Sequence, residues 1–176
     1  MNFGCKFLNF GNNKEKLQNC GEFMKTVIKL STPSKDNLIS VLDHLFKSGK
    51  SDFIVFSTFF SDIENEISDM VFKNDGKIVF LKSYKKGTTD SLLSIRGSLT
   101  ERFLVVYSDK ICKFNIREVE KSHHNSTLLS TLLCCEDKTV GAFFETEIFD
   151  YMTDKNHFER EVIPRIFEDH EVQIFN

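Results

Sequence analysis

Short apolar runs alternate with segments of helical periodicity along most of the chain. Apolar side chains recur at helical spacing over residues 37–46 and 62–72, which predicts two amphipathic helices, and Gly49 is placed to end the first of them. Continuous β-rich runs are typical of strands that are buried on both faces of a parallel sheet. Three such runs lie at residues 53–57, 77–81 and 103–107.

The alternation continues through the rest of the chain. Further helices are predicted over residues 90–99, 116–124, 147–152 and 157–168, and further strands over residues 6–10, 126–134, 140–144 and 172–175. Strands that alternate with helices indicate an α/β fold, in which a mostly parallel sheet is flanked by helices. The 176 residues suit a single domain that spans positions 1–176.

Composition narrows the class of protein. Lys plus Arg numbers 23 and Asp plus Glu 26, and the resulting net charge of −3 argues against a nucleic-acid binder. Residues 1–10 hold no apolar run of the length that a signal peptide needs, and no stretch approaches the roughly 18 apolar residues of a membrane span, so neither a signal peptide nor a membrane partner is expected. The five cysteines form no C-x-x-C pair, which favours reduced thiols in a cytoplasmic protein. A metal site at Cys134 and Cys135 would need a neighbouring His or Cys at zinc-ligand spacing, and the sequence has none there.

A polar pair directly follows the apolar run at residues 103–107. Ser108 and Asp109 stand where the predicted strand ends. Ligands of parallel α/β sheets bind outside the carboxyl ends of the strands, and a carboxylate there is suited to hold Mg²⁺ against a nucleotide phosphate. Asp is also a common turn residue, so Asp109 equally fits the start of a turn. Position alone leaves both interpretations open.

A second candidate for ligand binding is the loop that opens the helix predicted after residue 90. Gly87 and Thr88 precede this helix, and backbone amides at a helix N-terminus attract anions. A helix cap formed by Thr89 or Asp90 explains the same residue types. The loop is therefore a candidate base or phosphate contact with a purely structural alternative.

A third candidate is the stretch 11–17, Gly-Asn-Asn-Lys-Glu-Lys-Leu, which follows the strand predicted over residues 6–10. A phosphate loop stands at this point of an α/β fold, and Lys16 supplies positive charge. Glycines let a backbone come close to phosphates, and this stretch holds only one, Gly11. An ordinary solvated loop explains it equally.

Several segments stand in an order typical of one family. The block at residues 103–116, FLVVYSDKICKFNI, has the form of a strand ending in Y-G-D and followed by N-I, and segment 87–92, GTTDSL, has the form G-T-A-x-A-L. Segment 140–151 has the form N-G-G-F-F…F-D-Y, and FERE at residues 158–161 continues it. In this order the chain resembles the sugar-1-phosphate nucleotidyltransferases, and within them the glucose-1-phosphate cytidylyltransferase branch.

The resemblance implies a Rossmann-like nucleotidyltransferase fold and a reaction. A sugar-1-phosphate oxygen attacks the α-phosphate of a nucleoside triphosphate, and pyrophosphate leaves. By resemblance, Asp109 would bind Mg²⁺, Lys16 would contact the β- and γ-phosphates, and Lys25 would steady the transferring phosphate. CTP is the favoured nucleotide, a sugar phosphate the implied acceptor, and surface-polysaccharide synthesis the implied setting. The family's nucleotide-contacting positions fall on Gly11, Asn12, Gly87, Thr88 and Ser108, and a sugar-facing position falls on Gly141.

Three departures separate the chain from the family pattern. The opening loop keeps one glycine, and Lys16 stands where the family has an arginine, whose planar fork a lysine lacks. Only residues 134–139 stand where the family carries a sugar-contacting E-K-P segment, and the sequence stops before the region of a second metal-binding aspartate. Two functions stay open: a catalytically impaired relative that acts as a nucleotide sensor, partner subunit or homo-oligomer, and an active minimal nucleotidyltransferase for a small phosphorylated substrate. A third possibility is that the pocket is unused and only the fold persists.

Overall fold

A computed structural model describes residues 24–30, 34–57, 64–82, 87–107, 109–153, 157–169 and 172–176. Within these ranges the chain forms a seven-stranded sheet in the order β3-β2-β1-β4-β6-β5-β7. Six strands run in one direction, and β6 is antiparallel to both of its neighbours. The strands are β1 (Thr26–Ile28), β2 (Asp52–Ser57), β3 (Lys77–Lys82), β4 (Phe103–Val106), β5 (Ser130–Cys135), β6 (Lys138–Phe144) and β7 (Gln173–Phe175).

Helices cover both faces of the sheet. They are α1 (Lys35–Lys47), α2 (Glu64–Lys73), α3 (Thr88–Ser94), α4 (Ile116–Asn125) and α5 (Ile163–Asp169). Leu42 of α1, Val71 of α2 and Val119 of α4 belong to the core on one face. Leu92 of α3 and Ile166 of α5 belong to the core on the other. The predicted α/β fold with a mostly parallel sheet flanked by helices is therefore confirmed.

The central strands show why the apolar runs are continuous. Leu104 and Val106 of β4 enter the core beneath α1 and α4, while Phe103 and Val105 enter the core on the opposite face. Successive side chains of a strand point to opposite faces, so a strand covered on both sides needs apolar residues at every position. All four residues of β4 are buried.

Helix α1 begins and ends where the sequence predicts. Ser34 caps it, because its Oγ accepts a hydrogen bond from the Asn37 backbone N–H at 3.1 Å. Gly49 takes a φ of +83°, and its N–H bonds the Phe46 carbonyl at 2.8 Å while the N–H of Lys50 bonds that of Leu45 at 2.9 Å. This is the Schellman arrangement, which glycine adopts without strain, and the predicted helix stop is confirmed.

Other predicted elements need correction. Strand β5 begins at Ser130, four residues later than predicted, and residues 146–151 form a 3₁₀ turn rather than an α-helix. The helix predicted over 157–168 begins with a π-helical turn at Phe158–Val162 before it continues as α5. Glu136 and Asp137, with φ of 53° and 61°, form the two-residue turn that joins β5 to β6 as a tight hairpin.

The largest correction concerns the first strand. The central strand β1 is Thr26–Ile28, which the hydrophobic pattern did not predict, and it pairs in parallel with β2 and β4. The strand predicted over residues 6–10 lies outside the described residues. Stretch 11–17 precedes β1 along the chain, so it does not follow the central strand as a family phosphate loop would. Among the helices that the structure describes, none is long and apolar enough to cross a bilayer.

Candidate functional site

The carboxyl ends of β1 and β4 meet at one edge of the sheet, and the polar residues that follow them line two adjoining clefts. The smaller cleft, of about 260 Å³, lies over the end of β1 and the start of α3. The larger, of about 570 Å³, lies over the end of β4 and the β5–β6 hairpin. Tyr107, Phe158 and Glu159 line both clefts, so these three residues form the boundary between them.

Lys29 is the cation of the smaller cleft. It follows β1 directly, and its backbone N–H bonds the Val106 carbonyl at 2.9 Å, which extends the β1–β4 pairing to the edge. Its Nζ donates a hydrogen bond to Ser91 Oγ on α3 at 3.2 Å. Burial lowers the pKa of Lys29, and the Glu159 and Asp90 carboxylates oppose this shift. The ammonium group is thus held in a partly desolvated position beside the first turn of α3.

Glu159 spans the boundary between the clefts. It lies on the π-helical turn, and its Oε1 accepts a hydrogen bond from Thr88 Oγ1 at 3.3 Å. Thr88 begins α3, so this contact joins two elements that are 71 residues apart in sequence. π-Helical turns often occur at functional sites. Here the turn brings Phe158 and Glu159, which are consecutive in sequence, to the same pair of clefts.

Tyr107 lines both clefts, and its hydroxyl is buried. Its oxygen has no hydrogen-bond partner among the residues that the structure describes. Burial raises the pKa of Tyr107 well above its ordinary value, and the negative charge of Glu159 raises it further. A buried hydroxyl without a partner is costly, so a ligand that bonds this oxygen would recover free energy that the protein alone forgoes.

The larger cleft has a charged rim. Asp109 opens the 3₁₀ turn Asp109–Lys113 directly beyond β4, and Lys110 and Lys138 also line the cleft. Lys110 forms an ion pair with Glu136 at the tip of the hairpin, and this hydrogen bond raises the pKa of Lys110 and lowers that of Glu136. Lys113 Nζ lies 3.8 Å from the same carboxylate. The rim is thereby tied to the β5–β6 turn.

Asp109 is a carboxylate at this edge that suits a divalent cation. Mg²⁺ takes oxygen ligands and usually keeps several waters, using one or two carboxylates together with substrate phosphates. Asp109 is exposed at the cleft and fits such a shared site as its protein carboxylate. No cluster of three or more His, Cys, Asp or Glu residues that could hold a metal by itself occurs within the described ranges.

The structure brings some of the predicted site residues together and separates others. Gly87, Thr88 and Asp109 lie at the carboxyl edge, where Gly87 and Thr88 line the smaller cleft and Asp109 the larger. Lys25 precedes β1 and donates to the Ser98 carbonyl at 2.5 Å, so it stands at the opposite edge of the sheet from Asp109. Four predicted residues lie outside the described residues: Gly11, Asn12, Lys16 and Ser108.

Gly141, which the resemblance predicts to face a sugar, also has a packing explanation. A Cβ at this position would lie 2.6 Å from Ile111 Cδ1 and 3.0 Å from the Val105 carbonyl oxygen. Gly141 is buried between β4 and β5, and the cleft is lined by its neighbours Val140 and Ala142. The glycine therefore allows Ile111 and β4 to pack closely against β6.

Three residues of the site have no function that the sequence pattern predicts. Lys29 lies beside a strand too short to be recognised, and Tyr107 was read only as the end of a strand. Glu159 belongs to the FERE segment that resembles the family pattern, and the resemblance implies no role for it. Ligand-binding residues of α/β sheets follow the ends of strands. This rule identifies Lys29 as a candidate once β1 is known.

Among the described cysteines and His123, Cys135 lines the larger cleft and the others line neither cleft. Cys112, Cys134 and Cys135 are free thiols, and Cys135 Sγ lies 3.4 Å from Lys113 Nζ at the wall of the larger cleft. His123, at the end of α4, is buried and bonds Thr131 Oγ1 through Nδ1 at 2.9 Å. Burial lowers the pKa of His123 to about 4, so this histidine is a neutral core residue at physiological pH.

The strand order, the single reversed strand β6 and the polar edge over β1 and β4 define a nucleotidyltransferase-type α/β fold. No protein-family model matches the sequence, and the curated proteins contain no significant match. Solved structures that share the fold are 8–16% identical to this chain in the examples below, so the likeness concerns the fold alone.

Particular structures illustrate the likeness. A Bacillus anthracis protein assigned as a glucose-1-phosphate thymidylyltransferase, in complex with sucrose, is 8% identical over 86% of this chain and 85% of that one, with a TM-score of 0.62. HddC from Yersinia pseudotuberculosis, complexed with GMP-PN, is 16% identical over 86% and 89%, with a TM-score of 0.61. The 4-diphosphocytidyl-2C-methyl-D-erythritol synthase of Anaerococcus prevotii is 12% identical over 86% and 88%, with a TM-score of 0.58. A Mycobacterium tuberculosis protein in complex with manganese is 10% identical over 86% and 87%, with a TM-score of 0.53.

Proposed function

We propose that this chain is a nucleotidyltransferase-like protein related to the sugar-1-phosphate cytidylyltransferases, in which catalysis is weakened or lost and nucleotide binding is retained. The observation that carries the proposal is the position of Lys29, Tyr107 and Asp109 at one edge of a nucleotidyltransferase-type sheet. Nucleotides bind at this edge in open α/β folds because strand ends and helix N-termini converge there. We propose a cytoplasmic setting in polysaccharide synthesis, alone, as a homo-oligomer or as a partner subunit.

The smaller cleft is the proposed nucleotide side. Lys29 offers a positive charge, and Gly87 and Thr88 offer the start of α3. One structural neighbour is complexed with the nucleotide analogue GMP-PN, which supports a nucleotide as the ligand class. CTP is the favoured nucleotide, since the sequence between Tyr107 and Ile116 resembles the cytidylyltransferase pattern.

Asp109 is the proposed metal ligand. It would hold Mg²⁺ together with the phosphates of a bound nucleotide, and a structural neighbour complexed with manganese supports a divalent cation in this fold. The ion would neutralise phosphate charge during nucleotidyl transfer. The chain's own contribution is to position the nucleotide between Lys29 and Asp109.

The proposal that catalysis is impaired rests on the sequence of the segment that follows β1. Between Ile28 and Lys35 the sequence reads Lys-Leu-Ser-Thr-Pro-Ser, without a glycine. In the family that the chain resembles, a glycine-rich loop with a basic residue follows the first strand and approaches the triphosphate. Phosphoryl transfer depends on such positioning and charge neutralisation, so the loss of this loop should affect rate more than binding.

An active minimal nucleotidyltransferase is the alternative. It is supported by Lys29, which supplies a cation at the end of β1, and by Asp109. The tight turn at Glu136 and Asp137 leaves a shortened acceptor side that suits a small phosphorylated substrate. A structural neighbour is a 4-diphosphocytidyl-2C-methyl-D-erythritol synthase.

Isothermal titration of CTP, and then of the other nucleoside triphosphates, with and without Mg²⁺, tests the proposal. The variants are Asp109→Asn and, as a matched control, Asp69→Asn, which makes the same change at an exposed position of α2. We expect magnesium-dependent binding that is lost in Asp109→Asn and retained in Asp69→Asn.

A pyrophosphate-release assay with sugar phosphates and small alcohol phosphates then separates the two functions. Binding without turnover supports the impaired relative, and turnover supports the minimal enzyme. If no nucleoside triphosphate binds at millimolar concentration, both are wrong.

A further inference from the structure

Ser91 has a hydroxyl whose hydrogen-bonding direction is fixed by its place in α3. The residue is buried, with 4% of its surface exposed. Its single hydroxyl proton goes to the Gly87 carbonyl, one turn earlier in the chain, at 2.9 Å. A serine hydroxyl carries one proton and two lone pairs, so toward any other group this oxygen can only accept. The donor that it accepts from is Lys29 Nζ, at 3.2 Å.

The surroundings of the Lys29 ammonium group show why an acceptor matters there. Burial lowers the pKa of Lys29, and the carboxylates of Glu159 on the π-helical turn and Asp90 on α3 oppose this shift through their charge. Tyr107 and His157 line the smaller cleft beside Lys29. A hydrogen-bond acceptor favours the charged form of a lysine, because it bonds that form more strongly than the neutral one.

The hydroxyl and the lysine are both departures from the pattern that the chain resembles. Segment 87–92 has the form G-T-A-x-A-L, and Ser91 stands where this form has its second alanine. An alanine could not bond an ammonium group. Lys29 belongs to the segment after β1 that has no glycine. The two departures meet in one hydrogen bond, so they act as a pair.

We propose that Ser91 is a positioning residue that holds the Lys29 ammonium group at the smaller cleft. The inference rests on the proposed function, because it explains how this chain offers a cation to a nucleotide without a glycine-rich loop. Ser91 lines neither cleft, so it acts through Lys29 and not on the ligand. An ammonium group has three N–H donors, and the bond to Ser91 uses one of them, so the others can bond an anion.

Two separate effects on Lys29 follow from this hydrogen bond. A lysine side chain loses rotamer freedom when a ligand immobilises it, and a side chain that is already held loses less. The hydroxyl should therefore strengthen anion binding. It should also delay the loss of the Lys29 proton as the pH rises, because it bonds the charged form. A purely structural role of Ser91 in α3 would leave the titration of Lys29 unmoved.

The titration of Lys29 in the free protein tests the inference. Heteronuclear NMR with isotopically labelled lysine follows its ε-methylene signal, which is assigned by its absence from Lys29→Arg. Ser91→Ala removes the acceptor, and Ser94→Ala is the matched control, because Ser94 Oγ bonds the Ser91 carbonyl and not Lys29. We expect Ser91→Ala to lower the midpoint of the Lys29 titration by about half a pH unit or more, and Ser94→Ala to leave it unchanged.

Ser91→Thr supplies a rescue, since it keeps the hydroxyl and should keep the wild-type midpoint. Alanine favours a helix more than serine does, so Ser91→Ala should fold, and its melting temperature checks this. A Lys29 midpoint in Ser91→Ala that equals the wild-type value would overturn the inference. An equal fall in Ser91→Ala and Ser91→Thr would overturn it too, because the hydroxyl would then not be the cause.

Calorimetric titration of CTP with Mg²⁺ on the same proteins distinguishes this inference from the proposed function. We expect Ser91→Ala to bind CTP about three- to tenfold more weakly at neutral pH, and Ser94→Ala to bind as the wild type does. If the Lys29 midpoint falls in Ser91→Ala and CTP binds none of the proteins, the positioning role stands and the nucleotide assignment fails. If the wild type binds CTP and Ser91→Ala changes neither the midpoint nor the affinity, the positioning role alone is wrong.

Discussion

The Nζ of Lys29 donates a hydrogen bond to the Oγ of Ser91 at 3.2 Å, which ties the end of the central strand to helix α3. Ser91 in turn donates to the Gly87 carbonyl at 2.9 Å, in the first turn of that helix. The contact holds the ammonium group at the mouth of the smaller cleft and partly removes it from water. Lys29 is therefore the residue whose replacement most directly tests nucleotide binding at this edge.

Lys29→Met should weaken nucleotide binding by about ten- to hundredfold, because a charge-assisted hydrogen bond to a phosphate contributes roughly 1.5–3 kcal/mol. Lys25→Met is the matched control, since Lys25 lies at the opposite edge of the sheet and should leave affinity unchanged. Calorimetric titration of CTP with Mg²⁺ measures both. Equal losses in the two variants would contradict the assignment of Lys29.

The pH profile of binding adds a second test of Lys29. Since its pKa is lowered from 10.5 by burial, the ammonium form should be lost at a lower pH than for an ordinary lysine. CTP affinity should accordingly fall as the pH rises toward the lowered pKa of Lys29. Lys29→Arg, which stays protonated, should keep its affinity over the same range. Parallel profiles for the two proteins would rule out Lys29 as the titrating group.

Tyr107→Phe should separate folding from binding. The hydroxyl is buried without a partner in the described part of the chain, so its removal should leave the melting temperature unchanged or slightly higher. If a bound nucleotide uses this hydroxyl, the variant should bind CTP about three- to tenfold more weakly. Tyr151→Phe is the control, because Tyr151 lines neither cleft. A large loss of thermal stability in Tyr107→Phe would show that the hydroxyl serves the fold.

His123 should make the fold sensitive to acid. Its pKa is about 4 in the folded protein and 6.5 in the unfolded chain, so the unfolded state binds more protons between these values. Stability should be full above pH 6.5 and fall as the pH drops toward 4, by at most about 3 kcal/mol. Glu145, whose Oε1 lies 3.5 Å from His123 Nε2, limits the loss. Arg102 and His124 add to it.

Urea unfolding between pH 7.5 and 4.5 measures this effect. His123→Asn removes the titrating group and should flatten the pH dependence, although it also lowers stability at neutral pH. His124→Gln alters the exposed neighbour and should keep most of the wild-type slope. An unchanged slope in His123→Asn would assign the acid sensitivity to other groups.

Gly141→Ala should destabilise the fold by about 1–3 kcal/mol, because the added Cβ would overlap with Ile111 Cδ1 and crowd the Val105 carbonyl oxygen. Adding Ile111→Val removes the Cδ1 atom and should restore part of the loss, leaving the contact with the rigid backbone. Gly97→Ala is the control, since a Cβ there meets nothing within 4 Å. Chemical denaturation compares the variants, and a neutral Gly141→Ala would refute the packing explanation.

Most of the fold could be predicted from local pattern. The amphipathic period of α1, the glycine at its end and the continuous apolar run of β4 are properties of neighbouring residues, and the structure confirms each of them. The helical type of residues 146–151 and 158–162 is harder to predict from the sequence. A 3₁₀ or π turn differs from an α-helix only in which carbonyl accepts the hydrogen bond of each N–H. The sequence pattern does not distinguish these hydrogen bonds.

The candidate site could be predicted only in part. Asp109 and the Gly87–Thr88 start of α3 follow predicted strands, so the rule for α/β sheets places them at one edge. Lys29 could not be assigned, because Thr26–Ile28 is three residues long and buried on both faces, which leaves no periodicity to detect. The pattern consequently predicts a first strand and its loop in the N-terminal stretch, and the family resemblance places Lys25 near the phosphates.

The sequence by itself therefore determined the α/β class, most of the succession of strands and helices, and the carboxylate that follows β4. These depend on hydrophobic periodicity and on short-range turn and cap preferences, which act between near neighbours. Only the tertiary structure decided that Thr26–Ile28 is the central strand, that Lys25 and Lys29 stand at opposite edges, and that Glu159 meets Thr88. Those relations come from pairing between segments distant in sequence. Lys25 and Lys29 are only four residues apart, yet they lie at opposite ends of the short strand β1.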